Sequence, residues 1–368
     1  MSLSDVRDGT HYSPTYVSNG YPFITSKNLN DDGTIDFENV NYISTEDYNE
    51  FSKRSKPNKG DILFGMIGTI GKPVLVNTDI EFAIKNVALI KEEKLLLNKY
   101  LIHKLLSKSI LDQFNKNKDG GTQQFISLGN IRKLSIRYPS ISEQLKVAQF
   151  LELVNDRITT QNKIIEKLES LKIGIKERVY LLGKTKEPLE RILHEVSEKS
   201  TVQNQYPVLS STVKGLFLQS EYFDRAIASE NNIGYKIVHK GQIIISPQNL
   251  WMGNLTFNDK YESGIVSPSY KIYEIDSKYS KKYIHWLLTS KRSFFNYGLV
   301  SEQGASIVRR NLNIDAFMEL CLPIIKDKDD ESKIENLIDL IEKKLESEKK
   351  RGALLNQQKQ FLLSNLFI

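Results

Sequence analysis

The feature that most constrains this chain is a long heptad seam that occurs twice, 187 positions apart. The first copy runs Val147, Leu151, Val154, Ile158, Gln161, Ile165, Leu168, Lys172, Ile175, Val179. The second runs Ile334, Ile338, Ile341, Leu345, Glu348, Gly352, Leu355, Lys359, Leu362, Leu366. Apolar positions fall on apolar positions except at Gly352, and the polar interruptions coincide, Gln161 on Glu348 and Lys172 on Lys359. Alternating steps of three and four between apolar residues specify a coiled coil. The constant offset and the matched interruptions specify a duplication. The expected helices span 142–182 and 331–367, each roughly 60 Å long. Ser142 is the expected cap of the first, with Glu143 in its first turn, and an acidic run, Lys326-Asp327-Lys328-Asp329-Asp330, precedes the second.

The segments ahead of the helices repeat more loosely. Tyr21-Pro22-Phe23-Ile24-Thr25-Ser26 matches Tyr206-Pro207-Val208-Leu209-Ser210-Ser211, Lys59-Gly60-Asp61-Ile62-Leu63-Phe64 matches Lys240-Gly241-Gln242-Ile243-Ile244-Ile245, and Ile102-His103-Lys104-Leu105-Leu106 matches Ile284-His285-Trp286-Leu287-Leu288. Gly121 and Gly304 precede exit segments that close on Pro139 and Pro323, each through a short expected strand. β-rich runs at Ile62–Phe64, Pro73–Val76, Ile243–Ile245, Asn254–Phe257 and Tyr270–Tyr273 are followed by expected helices over 99–115 and 281–295. The expected organisation is a globular domain over 1–139, a long helix over 140–184, a second globular domain over 185–325 and a second long helix over 326–368. The fold class is α+β: two tandem α+β domains separated by two long helices that pair as an antiparallel coiled coil, with an internal pseudo-twofold repeat. Antiparallel pairing follows from connectivity. The second globular domain joins the end of one helix to the start of the other, and parallel pairing would force it to bridge the whole rod. Two similar basic heads related by a twofold resemble a dimeric DNA reader in one chain.

Composition excludes several classes. No apolar run reaches the length needed to span a bilayer, and Met1-Ser2-Leu3-Ser4-Asp5 does not open a signal peptide. The lone cysteine, Cys321, lies in an apolar run and is expected to be buried; with no internal disulfide possible, a reducing cytoplasm is expected. The five histidines, His11, His103, His194, His239 and His285, have no metal-ligand spacing. His103 and His285 occupy matching positions, each before a Leu-Leu pair, which points to packing. Gly65, Gly68 and Gly71 lack the Gly-Lys-Ser/Thr ending of a phosphate loop and read as turns. There is no Pro-Pro-Tyr segment of the amino-methyltransferase kind and no Gly-x-Ser-x-Gly elbow. The net charge of +6 fits a polyanionic partner, with basic clusters at Lys53-Arg54-Ser55-Lys56, Lys116-Asn117-Lys118, Lys281-Lys282 and Arg309-Arg310.

The ordered, duplicated motifs resemble the specificity subunit of type I DNA restriction–modification enzymes. The resemblance is carried by Asp5-Val6-Arg7-Asp8-Gly9-Thr10-His11-Tyr12-Ser13-Pro14 with Tyr21-Pro22-Phe23-Ile24, and by Lys59-Gly60-Asp61-Ile62-Leu63-Phe64-Gly65 with Gly68-Thr69-Ile70-Gly71. It continues in Gly121-Thr122-Gln123-Gln124 through Leu128 and Ile131, in Tyr138-Pro139-Ser140-Ile141-Ser142-Glu143-Gln144, and in Leu168-Glu169-Ser170-Leu171-Lys172-Ile173-Gly174. It implies two target-recognition domains that each read one half of a split double-stranded DNA site, with the helices as a ruler. It implies docking of two modification subunits that bind S-adenosylmethionine and methylate adenine, and of restriction subunits that use ATP and Mg. No cofactor or metal is expected on this chain. Three departures stand out. Pro247-Gln248-Asn249-Leu250-Trp251 replaces the glycines of the first unit, Gln303-Gly304-Ala305 replaces its Gly-Thr pair, and Leu3 matches Leu193, which leaves Glu187-Pro188-Leu189-Glu190-Arg191 without a counterpart.

Direct readout of bases needs Arg, Lys, Asn or Gln. The candidates are Lys27, Arg54, Lys72, Lys118, Gln123 and Gln124 in the first domain and Gln248, Asn249, Arg292, Gln303, Arg309 and Arg310 in the second. The leading expectation is a non-catalytic specificity and assembly subunit. Two alternatives remain open at this point: the specificity subunit of a fused restriction–methylation system, and a coiled-coil scaffold whose heads bind proteins.

Overall fold

A computed structural model describes residues 3–66, 72–116, 126–222, 231–303 and 310–367. The chain divides into two compact units, Met1–Ile164 with Glu348–Ile368, and Ile165–Ser347. Each unit therefore contains a head and a stretch of both long helices, which run Ile141–Leu182 and Lys328–Asn365.

The heads repeat one topology. In the first unit a four-stranded antiparallel sheet is ordered Val6–Asp8, Val87–Ile90, Ile62–Gly65, Pro73–Leu75. In the second the order is Leu193–Val196, Lys271–Ile275, Ile243–Ile245, Leu255–Phe257, again antiparallel throughout. The apolar run Ile62-Leu63-Phe64 is fully buried, as is Ile243-Ile244-Ile245, because each is a central strand covered on both faces. One face packs on the head helices and the long helices, the other on a smaller set of strands. In the first unit these include Tyr21–Thr25, which pairs in parallel with Ala83–Lys85.

The single head helix expected in each unit is in fact two. The first unit has Asn98–Leu105 and Lys108–Lys116, the second Lys281–Leu288 and Lys291–Leu299. Serine makes the break. Ser290 Oγ accepts from Ser293 N and caps the second helix of its pair, while Ser107 Oγ donates back to Lys104 O, a local side-chain bond that competes with helix continuation.

The first long helix begins at Ile141, one residue earlier than expected, and Ser140 Oγ, not Ser142, accepts from Glu143 N. The second begins at Lys328. Repeat-related residues fasten both helices to their heads. Gln144, fully buried, accepts from Leu97 N (2.9 Å) and donates to Leu95 O and Pro139 O. Its counterpart Glu331 accepts from Ser280 N (2.8 Å). Each side chain thus satisfies the backbone at the N-terminus of the first head helix.

The seam residues face inward. Leu151, Val154, Ile338 and Leu345 are buried, and Ile158, Ile165, Leu168, Ile175, Ile341, Leu355 and Leu362 are half-buried. Pairing is antiparallel within each unit. In the first, Leu151 shares a core with Leu363 and Phe367 while Gln161 meets Glu348. In the second, Lys172 meets Glu342 while Val179 shares a core with Ile334 and Ile338. The expected register fails at its last position: Leu366 is exposed, and Leu363 and Phe367 are buried instead. There the helix packs on Tyr100 and Lys104 of the head, so the head sets the inward face.

The matched interruptions Gln161 and Glu348 are one contact, Gln161 Nε2 donating to Glu348 Oε2 at 2.7 Å, with both residues buried. Replacing Gln161 with Leu is expected to cost about 1.5–3 kcal/mol, because a buried carboxylate loses a charge-assisted hydrogen bond. Q161L/E348L is expected to recover that loss, since an apolar pair of similar size fits a buried seam. Urea unfolding followed by circular dichroism tests this; a double variant no more stable than Q161L would sink the account.

Two further expectations are corrected. Cys321 is exposed. Among the described residues its strand, Cys321–Ile324, pairs only with Thr185–Pro188, and side-chain alternation turns Leu322 and Ile324 inward and Cys321 outward. Gly183 lets this pairing form, because a Cβ there would collide with the Pro323 carbonyl. The strand expected before Pro139 is not formed. Leu134 and Ile136 are nonetheless buried in alternation.

Candidate DNA interface

In both units the exit segment returns to the end of the central strand. Ile126 N donates to Met66 O (3.0 Å) in the first, and Arg310 N donates to Gln248 O (3.2 Å) in the second. Residues 67–71 and 117–125 of the first unit lie outside the described residues, so Lys118, Gln123 and Gln124 do too, as do Gly68 and Gly71.

The second unit shows the arrangement. Residues 246–254 connect Ile243–Ile245 to Leu255–Phe257 and are closed by Ser246 N to Asn254 O (3.1 Å). Leu250 anchors the loop in the core at 0% exposure. A single 3-10 turn, Leu250–Met252, ends on Gly253 at φ +101°, a conformation that needs glycine. Gln248 is exposed at this loop and Asn249 half-buried. Arg310 lies across Trp251, its guanidinium carbon 4.2 Å from the ring centroid, and Nη1 reaches Gly298 O at 3.4 Å. Gln303 pairs with Arg310 across the hairpin Ser301–Gln303 and Arg310–Leu312, and Arg309 lies outside the described residues. The structure thus groups Gln248, Asn249 and Arg310, with the backbone of Gln303. Arg292 stands apart, exposed at the start of Lys291–Leu299 and 3.6 Å from Glu177.

The first-unit candidates are more scattered. Lys27 is exposed in the turn Ser26–Asn28, and Arg54 is exposed in the last turn of Thr45–Ser55. Lys72 is ion-paired to Asp31, and the described contacts join neither Lys27 nor Arg54 to it.

Beside Trp251 the second unit holds a cavity of about 570 Å³ between its head and its long-helix segments. Lys172, Lys176, Lys214 and Lys260 line it, against Glu342 and Asp259, so positive charge is in excess. Lys172 pairs with Glu342 (2.9 Å). Lys176 donates to Thr289 Oγ1 (2.8 Å), and both lysines sit over the Trp286 ring. Burial, and then the neighbouring Lys172, push the Lys176 ammonium down to about 8. Burial, with Lys176 next, holds His285 down to about 3 and therefore neutral. An anion entering here would relieve both effects. The first unit has a matching cavity of about 520 Å³ lined by Lys72, His103, Asn155 and Lys359. His103 is buried and held down to about 4 by burial and then Lys359.

The lysine on the long helix at each cavity, Lys172 or Lys359, is the second matched polar interruption of the seam. That coincidence was the available signal for these residues. Trp251 had only its setting in Pro247-Gln248-Asn249-Leu250-Trp251 to mark it. Among the described residues no group of His, Cys, Asp and Glu could hold a metal ion, and no helix is long and apolar enough to cross a membrane.

The family model of the type I restriction modification DNA specificity domain matches residues 9–170. A protein named as a type I restriction enzyme specificity subunit in Haemophilus influenzae is 35% identical over 132 residues, 34% of this chain and 32% of that protein. One named as the MjaX specificity subunit of Methanocaldococcus jannaschii is 27% identical over 190 residues, 49% of this chain and 44% of that protein. The chain spans less than half the length of either of these curated relatives. The fold is similar to the S subunit of a type I restriction-modification system from M. genitalium, with TM-score 0.52 and 16% identity over 99% of this chain and 93% of that chain. It is also similar to a chain from a structure of complex assembly and conformational transition in the type I system, with TM-score 0.60 and 12% identity over 98% and 94% of the two chains. At these identities the structural likeness shows the fold alone.

Proposed function

We propose that this chain, which belongs to the family of type I restriction–modification specificity subunits, is a non-catalytic reader of double-stranded DNA that addresses a bipartite site, one half through each unit. The observation that carries the proposal is the duplicated reading end, where exit segment and central strand meet through Ile126 and Met66 in one unit and Arg310 and Gln248 in the other. The lysine-lined cavity beside the second end supports it, because phosphate contacts position a protein on DNA while base contacts specify sequence. The different loop sequences of the two units fit two different half-sites.

The same reading makes the chain an assembly subunit for two modification subunits and for restriction subunits, with S-adenosylmethionine, ATP and Mg bound by those partners. Phe150 and Leu153 on the first long helix and Leu337 and Leu340 on the second are all exposed, and the repeat offset relates each pair to the other. A duplicated exposed apolar pair fits two copies of one partner.

Co-expression with modification subunits and mapping of methylated adenines tests the reading. Replacing residues 1–139 with the matching segment of a related subunit is expected to change one half of the methylated motif and to leave the other half and the spacing intact. A swap that altered both halves together would end the two-reader account.

A further inference from the structure

We propose that Arg310 reads a guanine in the half-site addressed by the second unit, with Trp251 as the residue that positions it. This rests on the DNA-reading function proposed above and assigns it to one side chain. Arg310 differs from other cationic candidates in how it is held. Arg292 is drawn to Glu177 and Lys72 to Asp31, so their charges are already answered. Arg310 has no carboxylate partner among the described residues; its contacts are the Trp251 face at 4.2 Å and a long hydrogen bond to Gly298 O at 3.4 Å.

A long flexible side chain ordinarily loses rotamer freedom when it binds. Here the freedom is lost beforehand. The Arg310 backbone is tied to Gln248 and the guanidinium is laid on a ring that is itself set in the fold. A guanidinium has five N–H donors in a planar fork, and one is directed at Gly298 O. The remaining donors suffice for the paired contact with guanine O6 and N7, the commonest specific contact in the major groove. A cation stacked on an indole is also stabilised by the ring quadrupole without consuming those donors. The cavity beside Trp251, lined by Lys176, Lys214 and Lys260, places positive charge next to the reader, where the DNA backbone would be held.

Trp251 holds the stack by its ring and not by its N–H. Nε1 is buried and makes no hydrogen bond among the described residues. A phenyl ring should therefore serve, and alanine should not.

The test uses the full chain co-expressed with its modification subunits, with methylation rates measured across a library in which every position of the motif is varied. R310A is expected to lose discrimination at one G·C position of one half-site, by roughly 5- to 150-fold, and to keep the rest of the motif. R310K keeps the charge without the fork and should relax the same position. W251A should relax that position too, while W251F retains it. A uniform loss of rate with an unchanged motif in R310A would overturn the proposal, since that is what a phosphate contact or a purely structural role gives. If R310A does not fold, R310K decides: a relaxed position supports the assignment and an unchanged motif ends it. Absence of any site-selective methylation by the wild-type complex would instead overturn the reading on which the assignment rests.

Discussion

Replacing Ile338 with Asp is expected to abolish the folded state of the second unit. Ile338 is 1% exposed and lies in one core with Val179, Tyr283, Trp286 and Phe317, so the long-helix seam and the head lose the same contact. Deleting a buried isoleucine side chain costs about 2–5 kcal/mol. A carboxylate without a partner in that core adds a further desolvation penalty. The sum reaches roughly 5 kcal/mol or more, comparable with the whole stability of a domain. Ile158 and Ile341, although on the same seam, are half-buried and should lose less. The chain's two tryptophans, Trp251 and Trp286, both lie in the second unit, so intrinsic tryptophan fluorescence reports on that unit. A cooperative, native-like fluorescence transition in I338D would show that the helix segment and the head do not share a core.

The second unit should also lose stability as pH falls from about 6.5 towards about 3. Burial holds His285 down to about 3 from its ordinary value of 6.5. The groups facing it are Lys176 and Lys172, which oppose protonation, and Glu342, which favours it. Between those two values the unfolded chain takes up a proton that the folded unit refuses. Stability is therefore fully present above 6.5 and declines below it, with a limiting slope of about 1.4 kcal/mol per pH unit. His103, held down to about 4, should act in the same direction in the first unit. Carboxylates titrate in part of this range, so the informative quantity is the difference between wild type and His285→Phe. Phe257 already stacks on the His285 ring at 5.3 Å, which makes phenylalanine a tolerable replacement. Chemical denaturation at several pH values, read by fluorescence, should show a shallower acid decline in the variant. Identical slopes would mean that His285 titrates normally.

Much of the fold was legible because its signals are local or periodic. The seam from Val147 to Val179 needed only a count of apolar spacing, and its second copy needed only the constant offset. The central strands Ile62–Gly65 and Ile243–Ile245 were legible as short apolar runs bounded by turn residues. Leu193–Val196 was not, since Leu-His-Glu-Val carries little strand pattern and becomes a strand through its partner Lys271–Ile275. The candidate site was less legible. Gln248, Asn249 and Arg310 were chosen by residue type, and the structure brings them together. Arg292, chosen on the same grounds, is placed elsewhere.

The sequence by itself determined the duplication, the two long helices, the α+β class and the antiparallel pairing, because period, offset and connectivity are properties of the chain. Tertiary structure alone decided which polar residues do what. It turned the matched interruption Gln161 and Glu348 into a buried hydrogen bond. It set Gln144 and Glu331 as clamps on the head helices, split each head helix at a serine, and turned Cys321 outward. It also laid Arg310 on Trp251, 59 positions away in the chain. These outcomes depend on which distant backbone or ring completes each group's contacts. A polar side chain's partner is fixed by three-dimensional packing, whereas an apolar stripe needs only a period to declare its buried face.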